Sequence, residues 1–146
     1  MSYHIQQNQT DSIQRLLETT KTIAVVGLSK KPGRPGNYVP AYLQSQGYKI
    51  IPVNPILKEG LGETAYPDLL SVPEPVDLVL LFRRSEDVPP HVEEAIQIGA
   101  RAIWMQSGIV NFEAAKKARQ VGLEVVMDAC MMVEHRLRGN RLKTQQ

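Results

Sequence analysis

Cysteine is almost absent from this sequence: Cys130 is the only one in 146 residues. An internal disulfide is therefore excluded, which fits a reducing compartment, and a cytoplasmic location is expected. An excess of one charge is missing too. Lys and Arg outnumber Asp and Glu by 17 to 15, a net charge of +2, too small to argue for nucleic acid or an acidic membrane surface as partner. No apolar run reaches membrane-spanning length, and residues 1–10 lack the apolar core of a secretory signal. No pair of histidines and no carboxylate cluster has metal-ligand spacing, so no metal is expected. No Ser, His and Asp set assembles, so no catalytic residue is assigned. What remains is 42% hydrophobic and 22% charged, the make-up of an ordinary globular domain. The length fits one domain over 1–146, with frayed ends at about 1–9 and 139–146.

Five short apolar clusters punctuate the chain: Ile23-Ala24-Val25-Val26, Ile50-Ile51-Pro52-Val53, Leu78-Val79-Leu80-Leu81-Phe82, Ala102-Ile103-Trp104-Met105 and Val125-Val126-Met127. Each reads as a strand buried on both faces. Segments with helical spacing lie between them at 38–46, 92–98 and 112–121. Gly47, Gly99 and Gly122 follow these segments, where a left-handed residue ends a helix. Asn111 is the expected cap of the last, with Glu113 in its first turn. An amphipathic opener at 13–17 precedes the first strand, a short helix is expected after Cys130, and 67–75 reads as a loop. Strands alternating with helices imply an α/β fold. The expectation is a Rossmann-like three-layer sandwich with a five-stranded parallel sheet, ordered 3-2-1-4-5 and reversing between the first and fourth strands.

Ligands of such sheets sit beyond the C-terminal strand ends, at the reversal. The first strand runs into Gly27-Leu28-Ser29-Lys30-Lys31-Pro32-Gly33-Arg34-Pro35-Gly36. This glycine-rich turn opens a helix, a context in which backbone N–H groups point at phosphate. Its spacing matches neither the dinucleotide fingerprint nor the P-loop, and a plain surface turn is the competing reading. The second strand ends in Asn54-Pro55, without the acid that binds the ribose of NAD. No acidic residue occurs from Thr19 to Lys58. Lys21, Lys49 and Lys58 read as solvated, whereas the loop presents Lys30, Lys31 and Arg34 at the crevice. The third strand ends in Phe82-Arg83-Arg84. Arg forks suit phosphate and the ring suits a base, but a bridge from either arginine to Glu86 or Asp87 fits equally well. Gln106, Ser107 and Gly108 end the fourth strand with small polar groups that admit a ligand to the backbone.

Thr22 to Gly27, Val53-Asn54-Pro55, Leu81-Phe82-Arg83, Trp104-Met105-Gln106-Ser107-Gly108 and Asp128-Ala129-Cys130-Met131-Met132-Val133-Glu134-His135 resemble the small stand-alone CoA-binding domain proteins of bacteria. Those are similar to the CoA-binding domain of the succinyl-CoA synthetase α subunit and of ADP-forming acyl-CoA synthetases. The resemblance covers about 13–138. It implies a Rossmann-like fold with coenzyme A, free or acylated, across the strand ends. It assigns Gly27, Ser29, Lys30 and Arg34 to the phosphates, and Asn54 and Pro55 to the adenosine side. Phe82, Arg83 and Arg84 would flank the nucleotide, and Gln106, Ser107 and Gly108 the route to the pantetheine arm. Ala129 departs from the family, which often has a basic residue there. The synthetases carry further domains that this chain is without, so binding rather than ligase activity is implied. The charge agrees: a 3′-phosphate adds roughly −1.5 to −2 beside the diphosphate.

Other candidates are weaker. Cys130, at a helix start, reads either as reactive, open to a mixed disulfide with CoA, or as a buried structural thiol, which burial statistics favour. His4, His91 and His135 read as surface residues, and Trp104 as core. The leading expectation is a non-catalytic CoA-binding protein acting as sensor, carrier or partner module, with no nucleic acid or membrane partner. The alternatives are an NADP-dependent oxidoreductase and a nucleotide-free interaction domain.

Overall fold

Short, β-branched apolar runs framed by turn residues form strands, and the segments of helical spacing between them form helices. The computed structural model describes residues 2–139. Helix α1 (Ser2–Thr19) leads into strand β1 (Thr22–Val26), helix α2 (Pro35–Ser45) and strand β2 (Lys49–Val53). The two-residue strands β3 (Glu59–Gly60) and β4 (Glu63–Thr64) follow, then β5 (Leu78–Leu81), α3 (Val88–Gln97) and β6 (Ala102–Met105). Helix α4 (Phe112–Gln120), strand β7 (Glu124–Val126) and helix α5 (Met131–Leu137) complete the fold. Of the ends expected to fray, Met1 and 140–146 lie outside the described residues.

Five strands form one parallel sheet, as the alternation of elements implies, but in the order β2-β1-β5-β6-β7. The expected order 3-2-1-4-5 placed the third long strand outside the second. That edge is already taken. After β2 the chain turns back along it, Tyr66 N donating to Pro52 O and Asn54 N donating to Tyr66 O, at 3.0 and 2.9 Å. The third long strand, β5, therefore crosses to the free side of β1. Its first turn is fixed there by Asp77, whose Oδ2 accepts from Lys21 N and Thr22 N. The reversal lies between β1 and β5, the other common doubly wound arrangement.

Each buried strand sends alternate side chains to opposite faces. Ala24, Val26, Val79, Leu81, Ile103 and Met105 pack against α3 and α4 through Val88, Val92, Ala115 and Ala118. Ile23, Val25, Leu78, Leu80 and Trp104 pack against α1, α2 and α5 through Leu16, Leu17, Val39, Leu43 and Met131. Trp104 is core, as expected, and its indole N–H donates to Ala129 O at 2.8 Å. The register aligns Val26 with both Val53 and Leu81, and Leu81 with Met105. The loops after β1, β2, β5 and β6 consequently emerge side by side.

Candidate functional site

Those loops enclose a cleft of about 990 Å³, near the top of the ~300–1,000 Å³ range of small-molecule sites. Gly27, Ser29, Lys30 and Arg34 line it from the β1 loop, Asn54 from β2, Phe82, Arg83 and Arg84 from β5, and Gln106 and Ser107 from β6. Pro55 and Gly108 were expected beside them but stand off the cleft. Pro55 is exposed on the turn beyond Asn54. Gly108 has φ 83° and uses its N–H on Asp128 Oδ1 at 2.7 Å, tying the β6 and β7 loops together.

The β1 loop is held by a chain of unusual backbone contacts. Gly27 adopts φ 88°, and a Cβ there would lie 2.4 Å from Phe82 O. Only glycine lets the ends of β1 and β5 approach this closely. Helix α2 then starts with Pro35 in its first turn and carries Pro40 inside it. Pro40 has no N–H to give to the carbonyl four residues back, that of Gly36. Gly36 O instead accepts from Ser29 N at 3.0 Å, which closes the loop on its own helix. Asn37 Nδ2 donates to Ser29 O at 2.8 Å. No side chain caps the N-terminus of α2, and Pro35 and Gly36 form part of the cleft wall. Arg34 N and Asn37 N donate to Lys31 O and Arg34 O and Pro35 has no N–H, so Gly36 supplies the one first-turn N–H without a partner among the described residues, at the positive end of the helix dipole.

Asn54 occupies the place where an NAD site carries its acid, and the fold uses both of its polar atoms. Nδ2 donates to Leu28 O at 2.9 Å, and Oδ1 accepts from Ile56 N at 3.1 Å. It is a brace for the β1 loop as well as part of the wall. The β3–β4 hairpin, unforeseen in the sequence, braces the same loop: Gly60 lies against Leu28, and a Cβ there would sit 2.8 Å from Leu28 Cδ2.

The cations divide into two groups. Lys30 pairs with Glu59, just beyond the acid-free stretch. Arg84 pairs with Asp87 at 3.1 Å, the bridging alternative for that arginine. Lys31, Arg34 and Arg83 line the cleft, and none of the three has an acidic partner among the described residues. Arg83 acts on His91, which sits in the first turns of α3. Burial first, and then the Arg83 charge, holds the His91 pKa below its ordinary value. His135, expected at the surface, is buried: only 6% exposed, it is bonded through Nδ1 to Tyr42 OH at 2.7 Å and sits edge-on to the rings of Tyr42 and Tyr48. Neither histidine lines the cleft.

For Cys130 burial statistics favour a buried structural thiol. It is half-buried and lines the cleft with Gln106 and Ile109. Sequence reasoning also missed Tyr38 and Ile56, the exposed apolar rim. Tyr38 was findable, because it lies four residues after Arg34 and so on the same face of the helix start. Ile56 owes its place to the turn made by Asn54, which strand periodicity does not reveal.

A parallel sheet reversing beneath a basic, glycine-bounded cleft defines a Rossmann-like fold, the class of sheet in which ligands sit beyond the strand ends. Residues 21–136 match the CoA binding domain family, and the chain belongs to it. It is similar to the uncharacterized protein YneT of Bacillus subtilis, 43% identical over 84% of this chain and 91% of that protein. An ADP-forming acetate–CoA ligase of Archaeoglobus fulgidus is 29% identical over 76% of this chain, which spans only 18% of the ligase. Among solved structures, a hypothetical protein from Pyrococcus horikoshii superimposes with a TM-score of 0.84 at 41% identity, covering 88% of this chain and 90% of that one. A dinucleotide-forming acetyl-coenzyme A synthetase of Ca. Korarchaeum cryptofilum matches with a TM-score of 0.68 at 27% identity, over 77% of this chain and 26% of its own. No described helix is long and apolar enough to cross a membrane. No group of three or more His, Cys, Asp or Glu among the described residues is placed to hold a metal.

Proposed function

We propose that this protein binds coenzyme A or an acyl-CoA in the strand-end cleft and does not turn it over, serving in the cytoplasm as a sensor, a carrier or a module for a protein partner. One observation carries the reading. Lys31, Arg34 and Arg83 line one cleft, without acidic partners among the described residues, beside the positive end of α2. A ligand bearing a diphosphate and a phosphate monoester matches that excess of positive charge better than NAD does. Membership of the CoA binding domain family supports the same ligand. In this reading Ser29, Lys31, Arg34 and Arg83 hold the phosphates, with Lys30 and Arg84 nearby but partly neutralised. Phe82, Tyr38 and Ile56 flank the adenosine, and Gln106 and Ser107 receive the pantetheine arm. His91 and His135 lie off the cleft, which favours binding over acid–base chemistry.

Calorimetry on nucleotide-stripped protein with CoA, dephospho-CoA, NAD and NADP tests the proposal. CoA is expected to bind in the micromolar range, with dephospho-CoA weaker by about 1–3 kcal/mol for the lost charged contact. A preference for NADP would move the chain to the oxidoreductases. Absence of binding by all four would leave an interaction domain.

A further inference from the structure

We propose that Cys130 exchanges with the disulfide form of coenzyme A, so that the protein holds CoA covalently as a mixed disulfide; this rests on the CoA reading above. The thiol is placed for it. Cys130 lies in the cleft wall beside Gln106 and Ile109, across the sheet ends from Arg34 on the β1 loop. It is the residue before α5, and its side chain packs partly against the core but makes no capping hydrogen bond.

A second observation points independently to a ligand at this end. Gln106 is only 4% exposed. Its Oε1 accepts from Met131 N at 2.8 Å, which fixes the orientation of the amide because a backbone N–H needs an acceptor. The amide nitrogen is then left without a partner among the described residues, in a side chain that lines the cleft. That nitrogen is not sealed in the core, so it is a donor open to the cleft. The pantetheine arm carries amide carbonyls that can accept from Gln106. A ligand with phosphates at Arg34 and Arg83 and a carbonyl on Gln106 leads its sulfur toward Cys130.

The step is a balanced exchange. The Cys130 thiolate attacks one sulfur of the CoA disulfide. The S–S bond of the disulfide breaks as a new one forms to Cys130. The second CoA leaves as a thiolate and takes up the proton that Cys130 released. No further oxidant is needed. The consequence is a cleft that reports the oxidation state of the CoA pool.

The test is intact-protein mass spectrometry of the reduced full chain mixed with CoA disulfide. One CoA per chain is expected, removed by dithiothreitol and absent from Cys130→Ser. Pantethine, which has the same disulfide arm without the nucleotide, is expected to react at least about tenfold more slowly, a difference of ~1.4 kcal/mol in guidance by the cleft. Arg34→Ala is expected to slow CoA disulfide and leave pantethine unchanged. Equal rates for the two disulfides, or no adduct, overturn the exchange. Calorimetry of reduced CoA on Cys130→Ser separates the two readings. Retained binding with no wild-type adduct refutes the exchange alone, whereas lost binding in both proteins refutes the CoA reading beneath it.

Discussion

Replacing Gly27 with alanine puts a methyl group 2.4 Å from Phe82 O, at a residue whose φ is 88°. Gly47 offers an internal control. Its φ is 102°, but an added Cβ there meets nothing within 4 Å. Gly47 follows α2 at the opposite end of the sheet, where it ends the helix. Both substitutions therefore carry the left-handed backbone cost of about 1–2 kcal/mol. Gly27→Ala alone must also drive β1 and β5 apart by close to an ångström, an overpacking cost of about 1–3 kcal/mol. At roughly 3 °C per kcal/mol for a domain of this size, Gly47→Ala should lower Tm by about 3–6 °C and Gly27→Ala by about 6–15 °C. The two differ in function too. Phe82 and Gly27 both line the cleft, so Gly27→Ala should weaken CoA binding while Gly47→Ala leaves it unchanged. Thermal melts and calorimetry on both variants check this. Equal melting temperatures, or unaltered CoA affinity in Gly27→Ala, would refute the close approach of the two strand ends as the architecture of the site.

The unpartnered and paired arginines should separate in the same assay. Arg34→Ala and Arg83→Ala are each expected to weaken CoA binding by about 1–3 kcal/mol, and Arg84→Ala by less because Asp87 already holds it. A larger loss at Arg84 would show that its pair opens for the ligand. Burial sets the sign of a pH effect at His135, whose pKa lies below the ordinary 6.5. The unfolded chain then takes up the proton more readily than the native one, so stability present above about pH 6.5 is lost as the pH falls below it. Urea denaturation at about pH 7.5 and pH 5.5 should show the loss, and His135→Gln should reduce it; an unchanged slope would contradict the burial argument. Tyr48, pushed up to about 12 by burial, donates its hydroxyl to Leu17 O at 2.6 Å. Tyr48→Phe orphans that carbonyl and should cost about 1 kcal/mol of stability with CoA affinity intact.

The sheet was legible because doubly buried strands write themselves as continuous apolar runs, and the helix ends because Gly47, Gly99 and Gly122 mark them. Strand order was not. Local sequence says that β5 is buried but not which neighbour buries it, and the decision rests on Tyr66 taking the edge of β2. The cleft lining followed from position, since any residue just after a buried strand falls at one end of the sheet. Pairing did not follow. Lys30 meets Glu59 only because the β3–β4 hairpin folds back, and Arg84 meets Asp87 through a short turn, whereas Arg83 next to it has no acidic partner among the described residues. The role of Asn54 was invisible for a similar reason: its partner, Leu28 O, lies 26 residues away in sequence. Cys130 is half-buried rather than buried, because burial frequencies say nothing of a residue where a strand end opens into a cleft.

The central claim is that CoA lies across the C-terminal ends of β1, β5 and β6. Amide chemical-shift mapping of isotopically labelled protein during a CoA titration tests it most directly. CoA across these strand ends should gather the shifts at Ser29, Arg34, Arg83, Gln106 and Cys130, with Gly47, Tyr48 and His135 at the far end unmoved. Shifts centred on Tyr48 and His135 with the strand-end loops silent would contradict it.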